Sequence, residues 1–343
     1  MIHKEPIHIG PECLNSSISS RTLLFLDTNI WIDLAEQNTE DSRKCLSQLR
    51  EAVASGRLLC PLAWPLILEL YKQSHDSALR VAKIMDDLSL STTFISDNEV
   101  LMLEVEFFIK SILTGKLVSI PRRALLVPFV SYLSTYSQIE FPESWTVENR
   151  EKFISLFTEQ MKVLTITDFI NMAKVHLPRP ERKIPPPFSQ AYQRRAEYTK
   201  GDKKKAWLVE AHSIMTSMVI PKLNVIRSKL PIQSQLVVLA AINCLPQDGF
   251  MSSIIALFER MPSQFVRTEI LTLSGLDTNR KDSMNDFYDL EMMVVPFAYS
   301  DAFASQDRWL RHIAKATPVV MKQWPARFLS GLREITCFLR NAL

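Results

Sequence analysis

Short unbroken apolar runs alternate with segments of helical spacing at both ends of this chain. Residues 23–26 (LLFL) are too few for a helix and lack polar alternation, as in a strand buried on both faces; IWIDLAEQ then changes to spacings of three and four. A polar helix through CLSQLREAVASG ends at Gly56, and RLLCPL from Arg57 predicts a second strand. Pro65 suits the start of a helix, LILELYKQ, that carries Glu69 in its first turns. A helix at DSALRVAKIMDDLSL leads to a third strand at TTFIS. The alternation returns at Asn285. Asn285 or Asp286 caps a helix running to Pro296, DAFAS is a strand, DRWLRHIAKA a helix, TPVVM a final strand, and ARFLSGLREITCFLRNAL the closing helix.

Between residues 98 and 282 the texture is helical throughout, with no convincing strand. Helices are predicted at EVLMLEVEFFIKSIL, ENREKFISLFTEQMKVL, KKAWLVEAHSIMTSMVI, QLVVLAAINCL and MSSIIALFERM. Residues 21–97 and 283–343 together make about 138 residues, the size of one α/β domain. The expected architecture is therefore a leader (1–20), an α/β domain in two parts (21–97 and 283–343), and an all-helical insertion (98–282) large enough for its own core.

Composition excludes several classes. Only 7 glycines occur, with neither GxGxxG nor GxxxxGK[ST], so dinucleotide and P-loop phosphate cradles are absent. The 5 cysteines have no CxxC spacing and suit reduced thiols better than a zinc site or disulfide framework. His75, His212 and His312 share no metal-ligand spacing. The apolar run LVVLAAINCLP from Leu236 falls well short of the ~20 residues a bilayer requires. With no apolar signal core at the N-terminus, a soluble, cytoplasmic protein is expected. Net charge is only +3, but residues 179–205 hold nine Lys or Arg against three Asp or Glu, leaving 31 and 34 elsewhere. That segment reads either as a solvated loop or as a phosphate-contacting arm using Arg194, Arg195, Lys203, Lys204 and Lys205, with Tyr192 and Tyr198 to stack on bases.

The candidate chemistry lies in four acids. Ligands of a parallel sheet with helices on both faces bind beyond the carboxyl ends of its strands. Asp27 follows LLFL and Asp307 follows DAFAS, while Glu69 and Asp289 stand in helices beside that edge. Carboxylates repel one another when crowded, so four in one crevice imply a divalent cation, Mg²⁺ or Mn²⁺, that polarises a phosphate and activates water. Each acid also has a plainer role. Asp27 can cap the helix it precedes, Glu69 can be a solvated helix residue, and Asp286 reads as a cap in competition with Asp289. Asp301 starts the strand whose other end carries the site, more than ~10 Å away, and reads as structural. Asp33 and Glu36 are expected to face solvent. An aspartyl-phosphate mechanism is disfavoured, because it needs an Asp where Asn29 stands.

Taken together, LFLDTNIWIDL, the ILEL helix, the Asp289 helix and the FASQD segment resemble the four motifs of PIN-domain nucleases, including the VapC-type toxin ribonucleases. The resemblance covers about 138 residues in two pieces and does not reach the insertion. It implies a PIN-like three-layer α/β fold with a parallel sheet and metal-dependent cleavage of RNA, less often DNA. Asp27, Glu69, Asp289 and Asp307 would then be the metal ligands, one of them serving as general base. Asn29 would orient Asp27, and Ser305, where the family most often has Thr, would hold a water or phosphate oxygen. A toxin or defence effector with an inhibitory or assembly protein partner is within that expectation. Two alternatives stay open: a DNA endonuclease, and a catalytically inactive nucleic-acid-binding or assembly module on the same scaffold.

Overall fold

The computed structural model describes residues 3–6, 20–70, 73–131, 138–141, 146–176, 201–243, 250–276 and 293–342, together with Leu14, Ile18 and Thr199. Its first half contains β1 (His3–Pro6), β2 (Thr22–Leu26), α1 (Thr28–Glu36), α2 (Glu40–Ala54), β3 (Leu58–Leu59), α3 (Trp64–Leu70), α4 (His75–Ser89), β4 (Thr92–Phe94), α5 (Asp97–Thr114), β5 (Leu126–Pro128), β6 (Gln138–Phe141), α6 (Val147–Lys162) and α7 (Ile166–His176). There follow α8 (Lys203–Ile214), a π-helical turn at Met215–Val219, α9 (Ile220–Ser228), α10 (Ile232–Asn243), α11 (Phe250–Phe258), α12 (Pro262–Leu276), α13 (293–299), β7 (Ala302–Ala304), α14 (Arg308–Lys315), β8 (Arg327–Leu329) and α15 (Leu332–Ala342).

The protein is mixed α/β. Its main sheet has four strands in the order β3-β2-β7-β8, all parallel, with Leu24, Phe25 and Leu26 opposite Ala302, Phe303 and Ala304. A parallel bridge between Leu62 and Thr93 carries the order outward to β4, which pairs antiparallel with β5. Every residue of Leu23–Leu26 and Ala302–Ala304 is buried, so both faces of these strands are covered. Chain order therefore runs outward from β2 through β3 toward β4, then restarts on its other side with β7 and β8. The direction reverses between β2 and β7, and that reversal is where an open parallel sheet leaves a crevice.

Several elements differ from the sequence expectation. TPVVM is not a strand. Its backbone amides at Val319, Val320 and Met321 donate to the Glu269 carboxylate at 2.5, 2.8 and 2.8 Å, and the edge strand is Arg327–Leu329, inside the expected closing helix. The described residues of 98–282 include two short strands, β5 and β6, besides helices, and β6 pairs antiparallel with β1. Helix α13 runs through Pro296 to residue 299.

The described residues form two buried apolar clusters. One surrounds the sheet and takes in Phe25, Trp31, Phe297 and Phe303; the other is helical and includes Val105, Phe108, Trp207, Phe258 and Phe265. Helix α12 joins them, giving Phe265 to the second and Val266 and Ile270 to the first.

Candidate functional site

At the carboxyl end of β2, Asp27 begins helix α1 in extended backbone conformation and is its N-cap, its Oδ1 accepting the Thr28 N–H at 2.7 Å. The other oxygen accepts the Ser305 hydroxyl at 2.6 Å. Ser305 is the residue after β7, so this bond spans the point where the sheet's order reverses. Its own oxygen accepts the Asp307 N–H at 3.0 Å. Asp307 caps α14, with Oδ1 taking the amides of Trp309 and Leu310 at 2.7 and 2.8 Å. Glu69, on α3, accepts a hydrogen bond from the Thr28 hydroxyl. The chain thus draws three of the four expected acids toward one edge.

Their electrostatics are unfavourable without a counter-charge. Asp27 is only 5% exposed, and burial pushes its carboxyl up to about 6. The Ser305 and Thr28 hydrogen bonds act the other way, while the charges of Glu69 and Asp307 add to the rise. Oxygen donors of this kind suit Mg²⁺ or Mn²⁺, and a cation would offset both the burial of the Asp27 charge, the larger cause of its rise, and the smaller repulsion from Glu69 and Asp307. Among the described residues, no group of three or more His, Cys, Asp or Glu side chains is arranged to hold a metal ion. Asp289, the expected fourth ligand, and Asp286 lie outside the described residues.

The supporting residues are only partly as expected. Ser305, expected to hold a water or phosphate oxygen, donates its hydroxyl to Asp27 instead; Asn29, expected to orient Asp27, is exposed, and the hydrogen bonds to the Asp27 carboxylate come from Thr28 and Ser305. Helix α1 turns Asn29 outward because the side chain two positions past the cap lies on its solvent face. Asp33 does not face solvent freely: it is half-buried and accepts the Gln306 Nε2–H at 2.6 Å. Glu36 is exposed, as expected. Asp301 is structural, accepting the Leu23 N–H at 2.8 Å and pairing with both Arg122 Nη atoms at 2.9 and 2.6 Å, at the opposite end of β2 from Asp27.

Thr28 and Gln306 were not expected at all. The signal for Thr28 was its hydroxyl between two polar residues at a strand end. Lys203, Lys204 and Lys205 are exposed on the first turn of α8, whereas Arg194, Arg195, Tyr192 and Tyr198 lie outside the described residues. No helix among the described residues is long and apolar enough to cross a membrane. Comparison with known proteins adds no relative: no family model, no curated protein and no solved structure matches the chain.

Proposed function

We propose that the chain is a metal-dependent endonuclease with a PIN-like catalytic domain, hydrolysing phosphodiester bonds in RNA ahead of DNA. One observation carries this reading. A helix cap needs only a hydrogen-bonding oxygen, and Asp is commonly left in solvent there; Asp27 is instead buried beside Glu69 and Asp307, with its carboxyl raised to about 6. Capping does not require that arrangement, whereas a divalent cation would offset the cost of a buried carboxylate beside two others.

Asp27, Glu69 and Asp307 would hold the ion, with Asp289 as the fourth carboxylate. When bound, it would polarise a phosphate oxygen and lower the pKa of a water. The surrounding residues supply position. Ser305 fixes the Asp27 carboxylate across the β2–β7 boundary, Thr28 fixes Glu69, and the α14 amides fix Asp307. Lys203–Lys205 provide exposed positive charge suited to phosphates without sequence choice.

The test uses the purified protein with single-stranded RNA and single-stranded DNA side by side. RNA cleavage with Mn²⁺, its loss on chelation, and its loss in a folded Asp27→Asn variant are expected. Equal cleavage by Asp27→Asn overturns the mechanism; RNA bound but left intact hands the chain to the inactive-module alternative.

A further inference from the structure

We propose that helices α9 and α10 present a patch that rests on an anionic lipid surface, an inference independent of the nuclease reading. Helix α10, IQSQLVVLAAIN, has no charged residue, and the uncharged stretch around it runs from Leu230 to Gln247. One side of α10 serves the helical core through Val238 and Ile242. The other side is open to solvent and just as apolar: Ile232 is 76% exposed, Leu236 61%, Val237 49% and Leu239 37%. With Ala240 and Gln233, also exposed, these residues span an arc of about 160° on the helix, and only Gln233 in it is polar. A helix that is apolar all round is normally covered all round, and α10 is covered on one side only.

Helix α9 widens the patch. Both helices pack on α5 and on each other, so the sides turned away from α5 make one surface. Leu223 and Ile226 of α9 pack on the helical core, while Ile220 and Val225 are exposed. Charge decides what this surface suits. From Ala211 to Gln247 the chain has no Asp or Glu, whereas Lys222, Arg227 and Lys229 all fall within that stretch. Around α9, Lys222 and Lys229 border the open side on one edge and Arg227 on the other. Two copies meeting through the patch would bring these like charges together. An acidic protein helix matches the charge, but the open strip extends over two adjacent helices, and a bilayer surface covers both at once. Anionic headgroups meet the basic border, and the acyl boundary beneath them takes the aliphatic centre.

Co-sedimentation of the full chain with vesicles tests this, using phosphatidylcholine alone and an equal mixture of phosphatidylcholine and phosphatidylglycerol. Binding to the mixed vesicles is expected, at least tenfold tighter than to phosphatidylcholine alone. The double variant Ile232→Gln, Leu236→Gln, its fold checked by circular dichroism, is expected to bind the mixed vesicles at least tenfold more weakly. Lys222→Gln and Lys229→Gln should each cost about fivefold, and Lys83→Gln, at an exposed position on α4, nothing. A double glutamine variant that binds like wild type, or a Lys83→Gln loss equal to that of Lys222→Gln, overturns the patch. Wild type that binds neither vesicle overturns the lipid surface and hands the patch to an acidic protein partner. A dimer seen by light scattering without vesicles, and dissolved by Leu236→Gln, overturns it in favour of a second copy.

Discussion

Asp27 carries the largest electrostatic burden of the proposed site, and its consequences are measurable one residue at a time. A rise from 3.8 to about 6 means the folded state binds a proton more tightly than the unfolded chain, a difference of about 3 kcal/mol. That stabilisation is fully present below pH 3.8 and is lost as pH rises through about 6. At neutral pH without metal the buried charge is therefore a liability. Asp27→Asn, which can still cap α1, is expected to raise the denaturation midpoint at pH 7.5 while abolishing cleavage and Mn²⁺ binding; a lower midpoint would show that the charge stabilises the fold. Ser305→Ala removes the bond that partly relieves this liability and is expected to lower stability by about 1–3 kcal/mol, read from urea denaturation. Asp27 was visible in the sequence because an apolar run ending in an acid and then a helix leaves few places for that acid to go. Asp33 was not, because helical spacing assigns a face but cannot show that a turn some 270 residues later supplies the amide covering it.

Among the elements, carboxylates also do structural work by reaching across to another segment's free amides. Asp86 on α4 takes the Ile166 and Thr167 amides that start α7, at 2.7 and 3.0 Å. Glu104 on α5 takes the Ser263 amide at the start of α12 at 2.7 Å, its pairing completed by the Ser263 and Tyr299 hydroxyls at 2.8 and 2.6 Å. Glu269, fully buried on α12, holds the three successive amides of 319–321. This is why TPVVM misleads as a sequence. Its β-branched run has strand propensity, yet its donors are satisfied by a remote side chain and not by a neighbouring strand. Glu269→Ala is expected to cost on the order of 3 kcal/mol or more, seen as a lower urea midpoint, with Glu269→Gln retaining part of it through its remaining acceptor. Helix α12 was equally illegible, since residues 263–270 are buried all round and a helix with no solvent side shows no apolar stripe. The strands β2 and β7 were legible for the opposite reason: a strand buried on both faces must be apolar at every position.

At the scale of the whole molecule, the sheet core and the helical core meet at α12, and beside that junction sits another raised carboxyl, Glu104. Glu104 is completely buried, which pushes it up to about 7 despite hydrogen bonds from Tyr299 and Ser263. Asp27 and Glu104 therefore act in the same direction on stability, favouring the folded chain at low pH and withdrawing that support as pH rises through about 6 and about 7 respectively. Only Asp27 belongs to the proposed cation site, which allows the two to be separated. A ligand that binds the folded state alone raises the melting temperature by mass action, and a carboxyl that must lose its proton first weakens that effect at acid pH. Mn²⁺ is accordingly expected to raise the melting temperature by several degrees at pH 7.5 and much less at pH 5. Asp27→Asn should lose the rise at both values, whereas Glu104→Gln should keep it at pH 7.5 and flatten the metal-free pH profile between 4.5 and about 7. Differential scanning fluorimetry of the three proteins with and without Mn²⁺ reads both effects. The same Mn²⁺ rise in Asp27→Asn would place the ion elsewhere on the molecule, and an unchanged pH profile in Glu104→Gln would mean that the buried carboxyl between the two cores is not the group that titrates.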